Sequence, residues 1–396
     1  MKAKYGFIIV GLALFNQTTY AQRASDNLQH FEFNNSLPEQ QYLIKKSGKG
    51  WNSEPFYAPA YDSIYTMKWD SRTKSWSFMK SRKIVNMVYD PQNNLTFSNI
   101  QYWDGSAWVD SSENINTFNS DNTINSQTIK IWNGSIWVNS QLNSYSYDNN
   151  HNLKDEIEQI WNGNNWDNSL QFKYGYDANN NNISTLYMVW NGNTWVNNQL
   201  HTYEYDADNN KTLAVFQVWE KEWTNVQRYT YYYAAGSEKI MTLNQYWNND
   251  AWENVSKDSV IQNPQQNEIS DVYQIWTGQN WQNISSDSYS YSPAMNTITD
   301  LGQYWSGKWM NTYKDAYTYD NRNNLVKIIY HEYKGKSLRK SEVDAFSYNS
   351  SNIIENEIHQ FYDSEGVKVI NGNKTRYYIM NELSGFNYKG QNIATR

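Results

Sequence analysis

The chain has 396 residues, no cysteine, 33 Lys and Arg against 40 Asp and Glu, and a formal charge of −7. Disulfide staples and thiolate metal sites are therefore excluded. An acidic chain without a basic run is also a poor partner for nucleic acid.

Residues 1–21 read as a secretory signal. Lys2 and Lys4 form a positive start, Gly6 to Phe15 an apolar stretch, and Thr19-Tyr20-Ala21 a small-residue cleavage site. The apolar stretch is too short for a membrane span. The expected mature chain is Gln22–Arg396, secreted to the periplasm, cell surface or medium. Residues 22–60 show no clear repeat and are expected to form an N-terminal cap or irregular segment.

From residue 61 to 396 the chain reads as one repeat domain, regular over 89–320 and degenerate at both ends. Trp103, Trp132, Trp161, Trp190, Trp219, Trp247, Trp276 and Trp305 recur every 28 or 29 residues. A second Trp follows each of them, as in Trp132/Trp137, Trp161/Trp166 and Trp190/Trp195, with Asn-Gly in the gap of several copies. Tyr-Asp keeps the same period at Tyr147-Asp148, Tyr176-Asp177 and Tyr205-Asp206. Trp69 and Trp76 are an earlier, looser copy, and Tyr333 and Tyr362 continue the phase with Tyr in place of Trp.

Each copy reads as a β-hairpin. Asn-Gly between apolar alternation marks one turn, and Asp and Asn side chains, which bond their own backbone, mark the other. The 19 Trp and 34 Tyr suit pleated, half-buried strands. A lone two-stranded hairpin is marginal in water, so the copies must pair edge to edge. The predicted fold is all-β: an antiparallel meander of two-stranded hairpins of about 29 residues forming one continuous coiled sheet, with a β-propeller as the alternative.

Strand alternation sorts the side chains of one unit into two faces. Leu186, Met188, Trp190, Trp195, Asn197, Tyr203 and Tyr205 are expected on one, and Tyr187, Val189, Val196 and Leu200 on the other. The residue before the first Trp is apolar in every regular copy, so this second face is expected to be the enclosed one, in a sheet that spirals or packs on itself.

The phrases Trp132 to Asn139, Trp161 to Asn168 and Trp190 to Asn197, with Tyr174 to Asn181 and Tyr203 to Asn210, resemble tandem repeats of secreted Bacteroidota proteins over about residues 89–350. The Tyr-Asp part also resembles the YD repeats of Rhs-type shells and adhesins, although those put Gly after the Asp turn where Asn stands here. The resemblance implies a secreted hairpin array and no activity.

No catalytic motif stands out. The histidines His30, His151, His201, His331 and His359 occupy no recurring column, and Asp155, Glu156 and Glu158 read as solvated strand charges. Asp206 to Asn210 is rich in oxygen, but it lacks the Gly and terminal Glu of a calcium loop and reads as a turn. No cofactor or metal is expected, and no enzyme. The candidate ligand residues are Trp132, Trp137, Trp161, Trp166, Trp190 and Trp195 with Asn139, Asn168 and Asn197. Aromatic faces beside amides suit the C–H faces and hydroxyl edges of a sugar. The expected role is binding or adhesion, multivalent, towards a glycan or cell-surface polymer. A structural scaffold or shell is the first alternative, and an enzyme hidden in the degenerate ends the second.

Overall fold

A computed structural model describes residues 61–78, 82–234, 239–263, 267–294, 296–350 and 352–379. The signal segment, the proposed cap and the last residues lie outside these.

The described chain is all strand and turn: 23 strands in one antiparallel sheet. Apart from the short second strand, each strand pairs with its neighbours along the chain. The N-terminal strand β1 (Tyr61–Asp70) then pairs with both β3 (Arg82–Tyr89) and β23 (Val369–Ile379). All strands except the three-residue β2 (Ser75–Ser77), which pairs with the end of β1, thus form a closed ring of 22. The hairpin repeats thus form the expected single continuous antiparallel meander, its two ends closing into a ring, and a propeller is excluded.

The register gives the shape of the ring. In the hairpin of β10 (Asn182–Trp190) and β11 (Trp195–Tyr205), Trp190 faces Trp195 and Tyr187 faces Gln199. Gln199 also faces Val218 on β12 (Lys211–Trp219). Trp219 therefore stands two rungs below Trp190. Two rungs of ~3.3 Å for every two strands of ~4.8 Å is a tilt of about 35°. Twenty-two strands at that tilt enclose a ring about 40 Å across. No second layer among the described residues fills it. Among the described residues only Ile64, Ile84, Ala214, Ile328, Val343, Ile353, Ile354 and Tyr377 are buried apolar side chains, and most other strand positions are half-buried.

Every regular hairpin carries a β-bulge at the third residue after the second Trp. Asn198 is one: Met188 faces Asn197, and Tyr187 already faces Gln199. Ser140, Ser169, Val226, Val255 and Ile284 hold the same place. A bulge adds one residue to one strand and so switches the face of everything beyond it. Leu200 therefore joins the Trp face, while Tyr203 and Tyr205 leave it for the face of Tyr187 and Val189. That corrects the sequence assignment of these three residues. The expected enclosure of the apolar column is corrected too. Ile131 is 47% exposed and Tyr304 46%, because this column sits at the turn end of the strands, above the crowded middle rows.

Two turn types alternate. Asn133 accepts from the backbone N–H of Ser135 (3.0 Å) and Ile136 (3.0 Å), and Gly134 takes φ 98°, a left-handed conformation that favours glycine. In the other turn Asp206 accepts from Asp208 N (2.9 Å), Asn210 N (2.9 Å) and Asn210 Nδ2 (3.0 Å), while Asn209 takes φ 63°. The oxygens of Asp206 are thus engaged as a turn cap. Neighbouring turns bond each other, as in Asn181 Nδ2 to Asn209 Oδ1 at 2.8 Å. The Tyr that closes the second strand donates across the hairpin in several copies: Tyr176 to Leu153 O (2.9 Å), Tyr205 to Asn182 O (2.9 Å) and Tyr233 to Lys211 O (2.7 Å).

The Asn181 amide, then the turn backbone, holds the Asp177 carboxyl below its ordinary range. Its contribution to stability is present above the ordinary carboxylate pKa and is lost as the pH falls through the lowered folded value. Asp177→Ala is expected to lower the melting temperature by a few degrees at pH 7. That deficit should shrink as the pH falls below the ordinary carboxylate range, a pattern that thermal melts across pH would show or refute.

Candidate functional site

The Trp pairs run along one end of the strands as a ladder. Ring centroids lie 5.1 Å apart in Trp132/Trp137, 5.1 Å in Trp161/Trp166 and 5.2 Å in Trp190/Trp195, at 60–67° between planes. The later copies Trp219/Trp223, Trp247/Trp252, Trp276/Trp281 and Trp305/Trp309 repeat this at 5.0–5.1 Å. Such edge-to-face pairs match ring edges to ring faces and stabilise a hairpin by about 0.5–1.5 kcal/mol beyond burial. All these rings are half-buried, which leaves part of each open to solvent.

Directly inside the Trp row lies a row of amides. Gln159 Nε2 donates to Asn168 Oδ1 at 3.0 Å, Gln217 to Asn225 at 2.9 Å and Gln274 to Asn283 at 2.8 Å. Each pair uses one donor and one acceptor, so the Gln carbonyl and the Asn amide nitrogen keep capacity for other partners. Asn139 faces Lys130 and Asn197 faces Met188. Trp132, Trp137, Trp161, Trp166, Trp190, Trp195, Asn139, Asn168 and Asn197 therefore share one face, since all of them precede the bulge.

The register sorts charge as well. The Trp face carries Lys130, Lys173, Arg228, Lys257, Lys314 and Lys327, with Asp110, Glu113 and Asp155 among its few acids. The other face is acidic and rich in Tyr: Glu156, Asp258, Asp271, Asp287, Asp300 and Asp344 lie on it. Burial pushes the Tyr231 and Tyr145 hydroxyls there up to about 12, with neighbouring Tyr and Glu groups adding to the shift. The sequence cluster Asp155, Glu156 and Glu158 is split by alternation. Asp155 accepts from Ser146 Oγ (3.2 Å) on the Trp face, and Glu158 accepts from Gln141 (3.0 Å) on the acidic face. Among the described residues no helix is long and apolar enough to cross a membrane.

The histidines are dispersed. His151 contacts Asp121 at a turn (2.5 Å), His201 packs edge-on against Phe216 (4.4 Å), and His331 meets the Lys314 carbonyl (3.0 Å). His30 lies outside the described residues. His359 sits between Asp344 and Glu342, with the Tyr330 hydroxyl donating to Asp344 at 2.8 Å. Sequence reasoning missed this cluster because its members come from three different strands of the degenerate end.

No family model matches the chain, and no curated protein matches it. Solved structures with similar strand arrangements exist. One is the toxin complex TcdB2-TccC3, at 11% identity and a TM-score of 0.39, aligned over 79% of this chain. The same complex without its hypervariable C-terminal region aligns at 11% identity and 0.37 over 76%. The chain spans about a fifth (19%) of the length of either. A porin-like protein from Bacteroides uniformis aligns at 8% identity and 0.26, over 81% of this chain and 96% of its own. A DUF3836 family protein from Bacteroides vulgatus is 26% identical over 21% of this chain, with a TM-score of 0.19.

Proposed function

We propose that this is a secreted, non-enzymatic binding protein of the Bacteroidota repeat type, whose Trp face takes a polysaccharide along the ladder of hairpins. The observation that carries the reading is the alternation of half-open Trp pairs with amide pairs that retain unused donors and acceptors. A sugar offers an apolar C–H face to an aromatic ring and hydroxyls to an amide. Successive Trp pairs lie about 10 Å apart, two strand spacings. A chain lying across several hairpins would meet the same pair of contacts at each one, so weak single contacts would sum.

The test is a glycan array probed with mature protein, Gln22–Arg396, and a variant carrying Trp137→Phe, Trp166→Phe and Trp195→Phe. Phe keeps an aromatic pair in each hairpin and so preserves the fold. Saturable binding to a defined glycan class is expected, at least tenfold weaker in the variant. A flat array would leave the ladder as hairpin packing and favour the scaffold reading.

A further inference from the structure

We infer that the polysaccharide taken by the Trp face is anionic, its carboxylate or sulfate groups met by a column of cations beside the Trp ladder. This rests on the Trp-face reading and names its ligand class.

The inference comes from where the chain places its charge. The protein is acidic, at −7, yet the two faces of its single-layered sheet differ in sign. Carboxylates gather on the Tyr side, and lysines and Arg228 on the Trp side. Arg228, Lys257 and Lys314 each stand five residues after the second Trp of their hairpin, beyond the bulge, and so point to the Trp face. The two-rung stagger carries this position to the Trp pair of the following hairpin. The Arg228 guanidinium lies 4.7 Å from the Trp252 ring centroid, and the Lys257 ammonium 4.9 Å from that of Trp281. Lys83 does the same over Trp108 at 4.7 Å. Arg228 Nε donates to Gln245 Oε1 (2.7 Å), and Gln245 Nε2 donates onward to Asn254 Oδ1 (2.9 Å). Cation, amide pair and Trp ring thus form one connected patch.

These cations lack internal counter-ions. Among the described residues Arg228, Lys257 and Lys314 make no ion pair, because the nearby carboxylates point away through the sheet. A half-buried cation is partly desolvated, and an external anion would restore what water no longer supplies. The guanidinium fork keeps its terminal nitrogens free for a carboxylate or sulfate. Arg228 and Lys257, on neighbouring hairpins, are about 10–12 Å apart, from two strand spacings and the stagger, whereas Lys314 lies two hairpins further on with Ser286 at the place between. A repeating polyanion can match that ladder, whereas an isolated anion would touch one rung. The Trp rings are engaged edge to face with each other, which leaves ring edges and partial faces open.

The experiment compares four probes by titration with the mature chain: alginate, heparin, neutral dextran and single-stranded DNA. Three proteins are used: wild type, the triple variant Arg228→Gln/Lys257→Gln/Lys314→Gln, and a control triple in exposed turns, Lys221→Gln/Lys308→Gln/Lys336→Gln. The expected result is wild-type binding to alginate or heparin that weakens with salt and falls at least tenfold in the first triple, with no change in the control. Melting curves of the triples establish that both are folded, and Arg228→Lys should restore part of the loss. Equal binding of dextran, unaffected by the triple, would overturn the anionic assignment and leave the Trp-face reading standing. Equal binding of DNA and polyanionic glycans would overturn it as generic charge attraction. No binding to any glycan would overturn both readings.

Discussion

Replacing Ile84 by Asp is expected to open the ring. Ile84 is 2% exposed and sits at the seam where chain start and chain end meet. It faces Ile64 across β1–β3 and Ile100 on its other side, and Ile64 faces Tyr377 of β23. Ile64 and Tyr377 are buried as well, so the seam is one of the few places where this sheet has an apolar core. The β1–β3 ladder is short, with only Ile64↔Ile84 and Tyr65↔Lys83 in register. Side-chain packing must therefore supply what the short ladder does not. The nearest cation to a carboxylate there on its own face is Arg82, two residues away, with Lys68 beyond it. Burying it costs about 3–5 kcal/mol, in the range of the most damaging single changes. An opened ring exposes two strand edges, and free edges recruit other chains. Size-exclusion chromatography with light scattering should show a larger, associating species and an earlier melt. Ile131→Asp is the matched control. Ile131 is 47% exposed at the turn end of the ladder, and its replacement should shift stability by less than about 0.5 kcal/mol. If Ile84→Asp elutes and melts like wild type, the seam does not hold the ring.

The meander could be read from the chain because its signals are local. Trp132-Asn133-Gly134 and Tyr176-Asp177 mark turns by residue chemistry, and the spacing between them sets strand length. Closure was not readable, since it depends on a stagger that accumulates over 22 strands and on which edge β1 meets. The candidate residues fell on one face as expected because Trp195 and Asn197 precede the bulge. Tyr203 and Leu200 did not follow, because the bulge position holds Ser140, Asn198, Val226 or Ile284 in different copies and so has no residue signature. The same blind spot hid the charge sorting. Without the bulge, Lys257 would be assigned to the acidic side and Asp258 to the Trp side.

That sorting has a second consequence, the dependence of stability on pH. Asp271, on β16 (Glu268–Trp276), stands directly opposite Asp287, on β17 (Trp281–Tyr291), on the acidic face. Asp258 and Glu268 add like charge from the same side, and no cation faces them from these strands. Burial first, then Asp287, Asp258 and Glu268, pushes the Asp271 carboxyl up from 3.8 to about 8. Tyr289 donates to Asp271 (3.3 Å), Tyr313 donates to Asp287, and the Asp287 backbone N–H donates to Asp271 Oδ1 (3.2 Å). Tyr313 reaches across the sheet because its partner is Gly302, where a Cβ would stand 2.0 Å from the Tyr313 ring. The fold therefore favours a protonated Asp271, whereas the unfolded chain ionises it near 3.8. A group raised in this way stabilises fully below its unfolded pKa and loses that contribution as the pH climbs to the folded value. Stability is therefore expected to fall as the pH rises from the ordinary carboxylate value towards the raised folded one. Wild type should consequently melt several degrees lower at pH 8 than at pH 5. Asp271→Asn keeps the shape and removes the charge, so it should flatten this slope and raise stability at pH 8 by a few kcal/mol. Chemical denaturation at both pH values measures it. An unchanged slope in Asp271→Asn would show that the carboxylates on this face are already relieved in some other way, by a bound cation or by movement of the strands.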